Sequence, residues 1–449
     1  MPNRRQFITA AGVAGSAGLV AGAFRHWQGS ESLNPLGPLR PVADSISSEV
    51  LLELPPGFSY FAGSWRGEAM ADGAPIPGLH DGMAAFSGST PDAPITLLRN
   101  HEVPYEPTAK RLFDGPCYDE IAPGGVTRVQ FDPQAKTFSV STGVLSGTYM
   151  NCGGGISATQ SWLTCEEIRM HRADEEGTKP HGYVFEVPLD GMATGLPIRD
   201  MGRFRHEAVC FCAADGSYIL TEDESAGGIY RYIPDDINDL ERGGQLQALA
   251  LQDKPAANLD RTFAQGPWPI TWVPVDAPED IHYDPTQPGR GIFAQARAAG
   301  AALFKRPEGC WSEGDTVYFS CTSGGWTGMG QIFRYRPDAQ TLECVYTSTT
   351  ASALRAPDNI CIREGAVFIC EDHEFNPRLQ CLTQDGRLFP VARNVTQLED
   401  QYGQQGDFSD GEWAGVCFAG DWLFANLQRP GVTVAITGPW KKLLQPTAV

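Results

Sequence analysis

Between Asp81 and Asn426 the apolar positions come in paired short runs, each pair folded about a turn signal, and the pairs recur. The clearest copy spans Glu207 to Glu224. It opens on a carboxylate, runs through a short apolar strand to Asp215-Gly216, returns through a second apolar strand, and closes on a cluster of acids. Asp-Gly between apolar runs predicts a hairpin with a type I′ turn. Further copies run from Glu308 through Gly314-Asp315 to Cys321, from Asp358 through Glu364-Gly365 to Glu371, and from Glu412 through Gly420-Asp421 to Asn426. Two looser copies run from Asp81 to Glu102 and from Cys152 to Glu167. Repeats spaced at roughly 50 to 100 residues indicate propellers or arrays.

Between the hairpins lie alternating segments that end in proline, among them 125–133, 182–188, 228–234 and 331–337. They read as half-buried strands. Three to four strands per unit match a propeller blade, so the expected fold is all-β, a six-bladed β-propeller. Residues 47–449 form its single domain, with an insertion at about 235–300 carrying short helices near Ile237–Ala250. Segments 53–65 and 432–437 are expected to close the ring in a shared blade.

The first residues lie outside that repeat. Arg4-Arg5, a short Ala/Gly/Val run and Ala21-Gly22-Ala23 form the pattern of a twin-arginine signal peptide over 1–23, with a linker over 24–46. The alternatives are a disordered tail and a single membrane anchor, and the anchor meets a run too short and glycine-rich to span a bilayer comfortably. The twin-arginine export machinery is therefore an expected partner, and the expected location is periplasmic or secreted. The mature chain is expected to be a monomer without stable membrane insertion.

A formal charge of −20 disfavours nucleic acid and anionic membranes as partners. An anionic substrate would need metal ions or placed arginines. The twelve cysteines contain no CxxC pair, which excludes zinc-ribbon and thioredoxin-type readings. Most occupy core-strand slots and read as small apolar fillers. Cys152 differs, because it stands where the other copies place Asp or Glu.

In a propeller the leading residues Asp81, Cys152, Glu207, Glu308, Asp358 and Glu412 would ring the central channel. The trailing acids Glu102, Glu166, Glu222 and Glu371 return on the second strand to the same end. Converging carboxylates must take up protons or cations. Oxygen donors suit Ca²⁺ or Mg²⁺ and a thiolate suits a transition metal, so the ring reads as a polynuclear metal site in the channel. The alternative for each acid is a cap that bonds backbone amides at its blade turn. Arg306, two residues from Glu308 on an extended chain, shares its face and offers a planar fork for phosphate.

Several of these segments together resemble a known family. They are Arg306-Pro-Glu-Gly-Cys-Trp, Asn151-Cys-Gly-Gly-Gly with Trp162-Leu-Thr-Cys-Glu-Glu, Gly202-Arg-Phe-Arg-His-Glu-Ala, Thr221-Glu-Asp-Glu-Ser, Pro357-Asp-Asn-Ile and Cys370-Glu-Asp-His-Glu. The chain is similar to the PhoX-type alkaline phosphatases, although it is short for that family. The resemblance implies hydrolysis of phosphate monoesters by a Ca²⁺ and Fe³⁺ cluster in the channel. By matched position Cys152 resembles the iron thiolate, and Glu207 and Glu308 resemble cluster carboxylates. Glu166 and Glu371 resemble calcium-side carboxylates, and Arg306 resembles the arginine that holds substrate phosphate. Two other classes use the same ring: a single-calcium propeller hydrolase of lactones or other esters, and a non-catalytic propeller stabilised by calcium. A Ser-His-Asp hydrolase is disfavoured, since no G-x-S-x-G occurs.

Overall fold

The computed structural model describes residues 34–104, 111, 113, 116–168, 179–281 and 291–444. The expected signal peptide, 1–23, lies outside them. The end of the expected linker is a strand, Arg40–Val42, paired with Leu52–Leu54.

Six antiparallel hairpins organise the chain: β1 (His80–Phe86) with β2 (Ile95–His101), β3 (Asn151–Ile156) with β4 (Trp162–Glu166), and β5 (His206–Cys212) with β6 (Ser217–Glu222). They continue as β7 (Pro307–Glu313) with β8 (Thr316–Cys321), β9 (Pro357–Arg363) with β10 (Ala366–Glu371), and β11 (Trp413–Ala419) with β12 (Trp422–Leu427). Their first strands follow one another in a closed cycle, β1 against β3, then β5, β7, β9 and β11, which packs back on β1. This all-β arrangement is propeller-like. Parts of it are not separate blades. The strand Gln265–Pro274 bonds to Thr341–Thr347 and merges two units into one nine-stranded sheet, while β3 and β4 carry a single further strand, Val184–Val187.

The turns follow local chemistry. Glu364 and Gly365 both have positive φ (51° and 76°), as a type I′ turn requires. Around Asp215-Gly216 only Gly216 does (72°), and the loop spans four residues between Cys212 and Ser217. The expected two-residue I′ turn is therefore replaced by a longer one. Of the expected closing segments, Ser59–Gly63 pairs with Val432–Thr437, whereas Leu52–Leu54 joins a different sheet beside Leu388–Asn394. In the region 235–300 one 3-10 turn, Leu240–Arg242, stands where short helices were expected. Gly244–Leu251 is a strand, and the seven-residue helix there is Ile292–Ala298.

Apolar clusters fill the spaces between neighbouring sheets, and cysteines serve there as fillers, including Cys361, Cys370 and Cys381. Trp311 of β7 packs against four separate clusters. It lies about 10 Å along the strand from Glu308 at ~3.3 Å per residue. No helix among the described residues is long and apolar enough to cross a membrane.

Candidate metal centre and phosphate site

One backbone hydrogen bond, repeated six times, sets the geometry of the open end. The amide after each second strand donates to the carbonyl of the residue two places before the leading position: Glu102 to Leu79, Glu167 to Met150, Asp223 to Arg205, Thr322 to Arg306, Asp372 to Ala356 and Gln428 to Glu412 (2.9–3.2 Å). A bulge interrupts each hairpin next to this bond, and bulges of this kind re-aim side chains. By this register the six leading residues are Asp81, Cys152, Glu207, Glu308, Asp358 and Ala414. Glu412 holds the place of Arg205 and Arg306 instead, and its carboxyl meets Asp372.

The bulged backbones are tethered from the preceding unit. Asn100 Nδ2 donates to the Cys152 carbonyl (2.6 Å), Thr221 Oγ1 to that of Glu308 (2.5 Å), Ser320 Oγ to that of Asp358 (2.8 Å) and Asn426 Nδ2 to that of Asp81 (2.6 Å). Adjacent strands approach so closely that a Cβ on Gly153 would lie 2.4 Å from the Glu207 carbonyl oxygen. Only glycine fits there, which explains the residue that follows Cys152.

The side chains so aimed form three overlapping groups: Asp81, Glu102 and Cys152; Cys152, Glu167 and Glu207; and Glu207, Glu308 and Asp358. Within each group the candidate ligand atoms lie within 4.8 Å of one another. Gln428 Nε2 braces the first group, donating to Asp81 Oδ2 and Glu102 Oε2 (both 2.8 Å). Asn359 Nδ2 donates to Glu207 Oε1 (3.2 Å). In the third group Glu207 Oε2 and Asp358 Oδ1 are buried without a hydrogen-bond donor. Glu308 Oε1 lies 2.8 Å from Arg306 Nη2, an ion-pair contact with no aligned hydrogen bond. Buried acceptors left open in this way fit a cation.

The electrostatics agree. Burial, reinforced by neighbouring acids, pushes the carboxyls of Glu102, Glu207, Glu308 and Asp358 well above the ordinary range. Burial also raises Glu167 against the pull of Arg205, lifts Asp81 to about 6 and, with Asp81 and Glu207 nearby, raises the Cys152 thiol. Seven such groups cannot ionise together without compensating cations.

The other expected acids face away. Glu166 Oε1 accepts from the Tyr149 amide (3.0 Å) and lies 2.6 Å from His181 Nδ1, while its Oε2 accepts from the amides of Gly182 and Tyr183 (2.9 and 3.2 Å). Glu222 Oε2 accepts from the Gly228 amide and the Tyr230 hydroxyl (2.9 and 2.7 Å). Glu371 is gripped by Arg378, whose Nε and Nη2 lie 2.9 and 2.8 Å from Oε2 and Oε1. In their place stand the next residues along, Glu167, Asp223 and Asp372.

Arg306 reaches the rim of this centre from a left-handed backbone (φ 50°). Asp223 holds its fork through Nε–Oδ1 (2.7 Å) and Nη2–Oδ2 (2.9 Å), leaving Nη1 without a protein partner among the described residues. Arg205, which is equivalent by register, pairs with Glu167 and Asp223. Burial alone would raise the Asp223 carboxyl, but the two arginines hold it below its usual value. Both guanidinium groups are partly exposed, 38% for Arg306 and 32% for Arg205, so solvent reaches them beside a largely sealed cluster.

Comparisons with known proteins bear on this arrangement. The family profile described as alkaline phosphatase PhoX matches residues 37–144 and 135–431. Among solved structures, the fold is similar to Pseudomonas fluorescens PhoX in complex with vanadate, a transition state analogue. The TM-score is 0.63 at 15% identity, covering 90% of this chain and 98% of that one. A proposed 6-phosphogluconolactonase from Bacteroides uniformis also aligns, at TM-score 0.37 and 11% identity over 86% and 88% of the two chains, too low to carry an argument. Among curated protein sequences none matches. With most of its length matched by the family profile, the chain belongs to the alkaline phosphatase PhoX family, whose members are phosphomonoesterases.

Proposed function

We propose that this chain hydrolyses phosphate monoesters at the open end of a six-bladed propeller, using a cluster of Ca²⁺ and Fe³⁺. The ligands would be Asp81, Glu102, Cys152, Glu167, Glu207, Glu308 and Asp358, with Glu166, Glu222 and Glu371 as blade supports. The observation that carries this reading is the overlap of the three ligand groups through Cys152 and Glu207. A shared thiol between two groups has no task in a single-calcium ring, which disfavours the lactonase alternative.

The proposed ions would supply Lewis-acid charge for phosphoryl oxygens and acidify an attacking water. The chain's own residues do the rest. Asp223 fixes the Arg306 fork so that Nη1 meets a phosphoryl oxygen already oriented, and Arg205 adds a second cation on the same rim. Export before function, to the periplasm or beyond, belongs to the same proposal, as does the family's vanadate-bound relative as a guide to the substrate's place.

The test is elemental analysis of natively folded protein together with p-nitrophenyl phosphate turnover, with and without a calcium chelator. The expected result is bound iron and calcium, turnover lost on chelation, and a lowered melting temperature, since metal binding is linked to folding. Calcium without phosphatase turnover would overturn the reading in favour of a calcium-stabilised propeller.

A further inference from the structure

We propose that Cys210 and Cys310 form a disulfide that crosslinks two neighbouring inner strands beside the cluster. Cys210 lies on β5 and Cys310 on β7, strands adjacent in the ring. Their Sγ atoms are 3.0 Å apart. Non-bonded heavy atoms pack at about 3.5–4.0 Å, and a disulfide bond is about 2.0 Å long, so closure needs about 1 Å of movement. Cys212, Cys321 and Cys344 occupy the same apolar cluster, yet among the described residues this is the one sulfur–sulfur hydrogen-bonding contact.

The position has a consequence for the site. Cys210 follows Glu207 by three residues and Cys310 follows Glu308 by two, so the bond would tie together two strands whose carboxylates share one ligand group. It would also close a loop of 100 residues, a length at which crosslinking restricts the unfolded chain strongly.

The oxidant is a small-molecule disulfide such as oxidised glutathione. The thiolate of one cysteine attacks a sulfur of the oxidant, releasing one thiol and leaving a mixed disulfide. The second cysteine attacks the protein-bound sulfur and releases the other thiol. The two cysteines lose two electrons and two protons, and the oxidant becomes two thiols. Both side chains are buried, at 3% and 1% exposure, so the exchange needs transient opening of the β5–β7 core, and it belongs to the oxidising compartment reached after export. Once made, the bond is shielded from reductant.

The experiment synthesises the full chain in a cell-free mixture buffered with oxidised glutathione or with dithiothreitol. The protein is then denatured in N-ethylmaleimide and weighed intact. The oxidised sample should carry two fewer labels than the twelve cysteines, peptide mapping should join 210 to 310, and melting should occur several degrees higher than in the reduced sample. Cys310→Ala should lose no further labels under oxidation. If that variant does not fold, mapping of the unaltered chain decides alone. Twelve labels after oxidative synthesis, or Cys210 joined to a different cysteine, would overturn the proposal.

Discussion

Glu166 and Glu167 are consecutive residues that face opposite ways: Glu166 is enclosed by three backbone amides and His181, while Glu167 shares a ligand group with Cys152 and Glu207. The same alternation turns His101, Glu222 and Glu371 into their sheets and sets Glu102, Asp223 and Asp372 at the channel, because successive strand residues point to opposite faces.

Neutralising either glutamate should therefore give opposite results. Glu166→Gln removes the charge facing His181 and sets an amide against backbone donors. Breaking a buried pair of this kind costs roughly 3–5 kcal/mol, so the melting temperature should fall while metal per folded chain holds. Glu167→Gln should lose metal with a smaller change in melting of the metal-free protein. Thermal denaturation and elemental analysis of both variants check this; metal loss on Glu166→Gln without destabilisation would restore that residue as a ligand.

Cys152→Ser should lose iron and turnover together. The thiol is buried among acids that oppose its ionisation, so it becomes a thiolate only where a cation offsets them, and a serine hydroxyl is a far weaker acid and donor to a transition metal. Iron per chain, measured alongside phosphatase rate, is the readout. A variant that kept both would remove Cys152 from the ligand set.

The six hairpins and five of the six leading positions follow from period-two apolar runs and turn residues, which is why Asp81, Cys152, Glu207, Glu308 and Asp358 were recognisable. The trailing acids come as pairs, Glu166-Glu167, Glu222-Asp223 and Glu371-Asp372. Which member faces the channel depends on a one-residue register, and inner strands buried on both faces leave no polar alternation to reveal it. The same ambiguity hides the displacement of Glu412. Arg205 carried a usable signal, since Arg205-His206-Glu207 parallels Arg306-Pro307-Glu308. Asn100, Thr221, Ser320 and Asn426 share one place in the second strand, but their task of tethering a carbonyl across units is visible only in three dimensions.

His181 should make stability sensitive to alkali. Burial disfavours its charge, yet Glu166 and Asp119 raise its pKa from 6.5 to about 9. A raised folded-state pKa contributes stability that is full below the unfolded value, near 6.5, and is lost as pH rises through about 9. The contribution at neutral pH and below is on the order of 3 kcal/mol. Chemical denaturation of the chain and of His181→Gln should show a stability gap at pH 6 that narrows by pH 10. A gap independent of pH would mean that His181 is neutral in the folded protein.

Arg306 tests phosphatase chemistry apart from metal binding. Its fork is aligned by Asp223, so contact between its remaining Nη1 and a phosphoryl oxygen would strengthen as charge shifts in the transition state. Loss of one such contact costs about 10²–10³-fold in turnover, and Arg306→Ala should show that fall in kcat with iron and calcium retained. Arg306→Lys keeps the charge without the fork and should recover only part of the rate. Asp223→Asn keeps the arginine but loosens its alignment, so its loss should fall between the wild type and Arg306→Ala. Because Arg306 also touches Glu308, the competing outcome is specific: if Arg306→Ala sheds its metals, the arginine is a partner of the cluster carboxylate. If it keeps both metals and wild-type rate on phosphate monoesters, the rim beside Asp223 is not where phosphate binds.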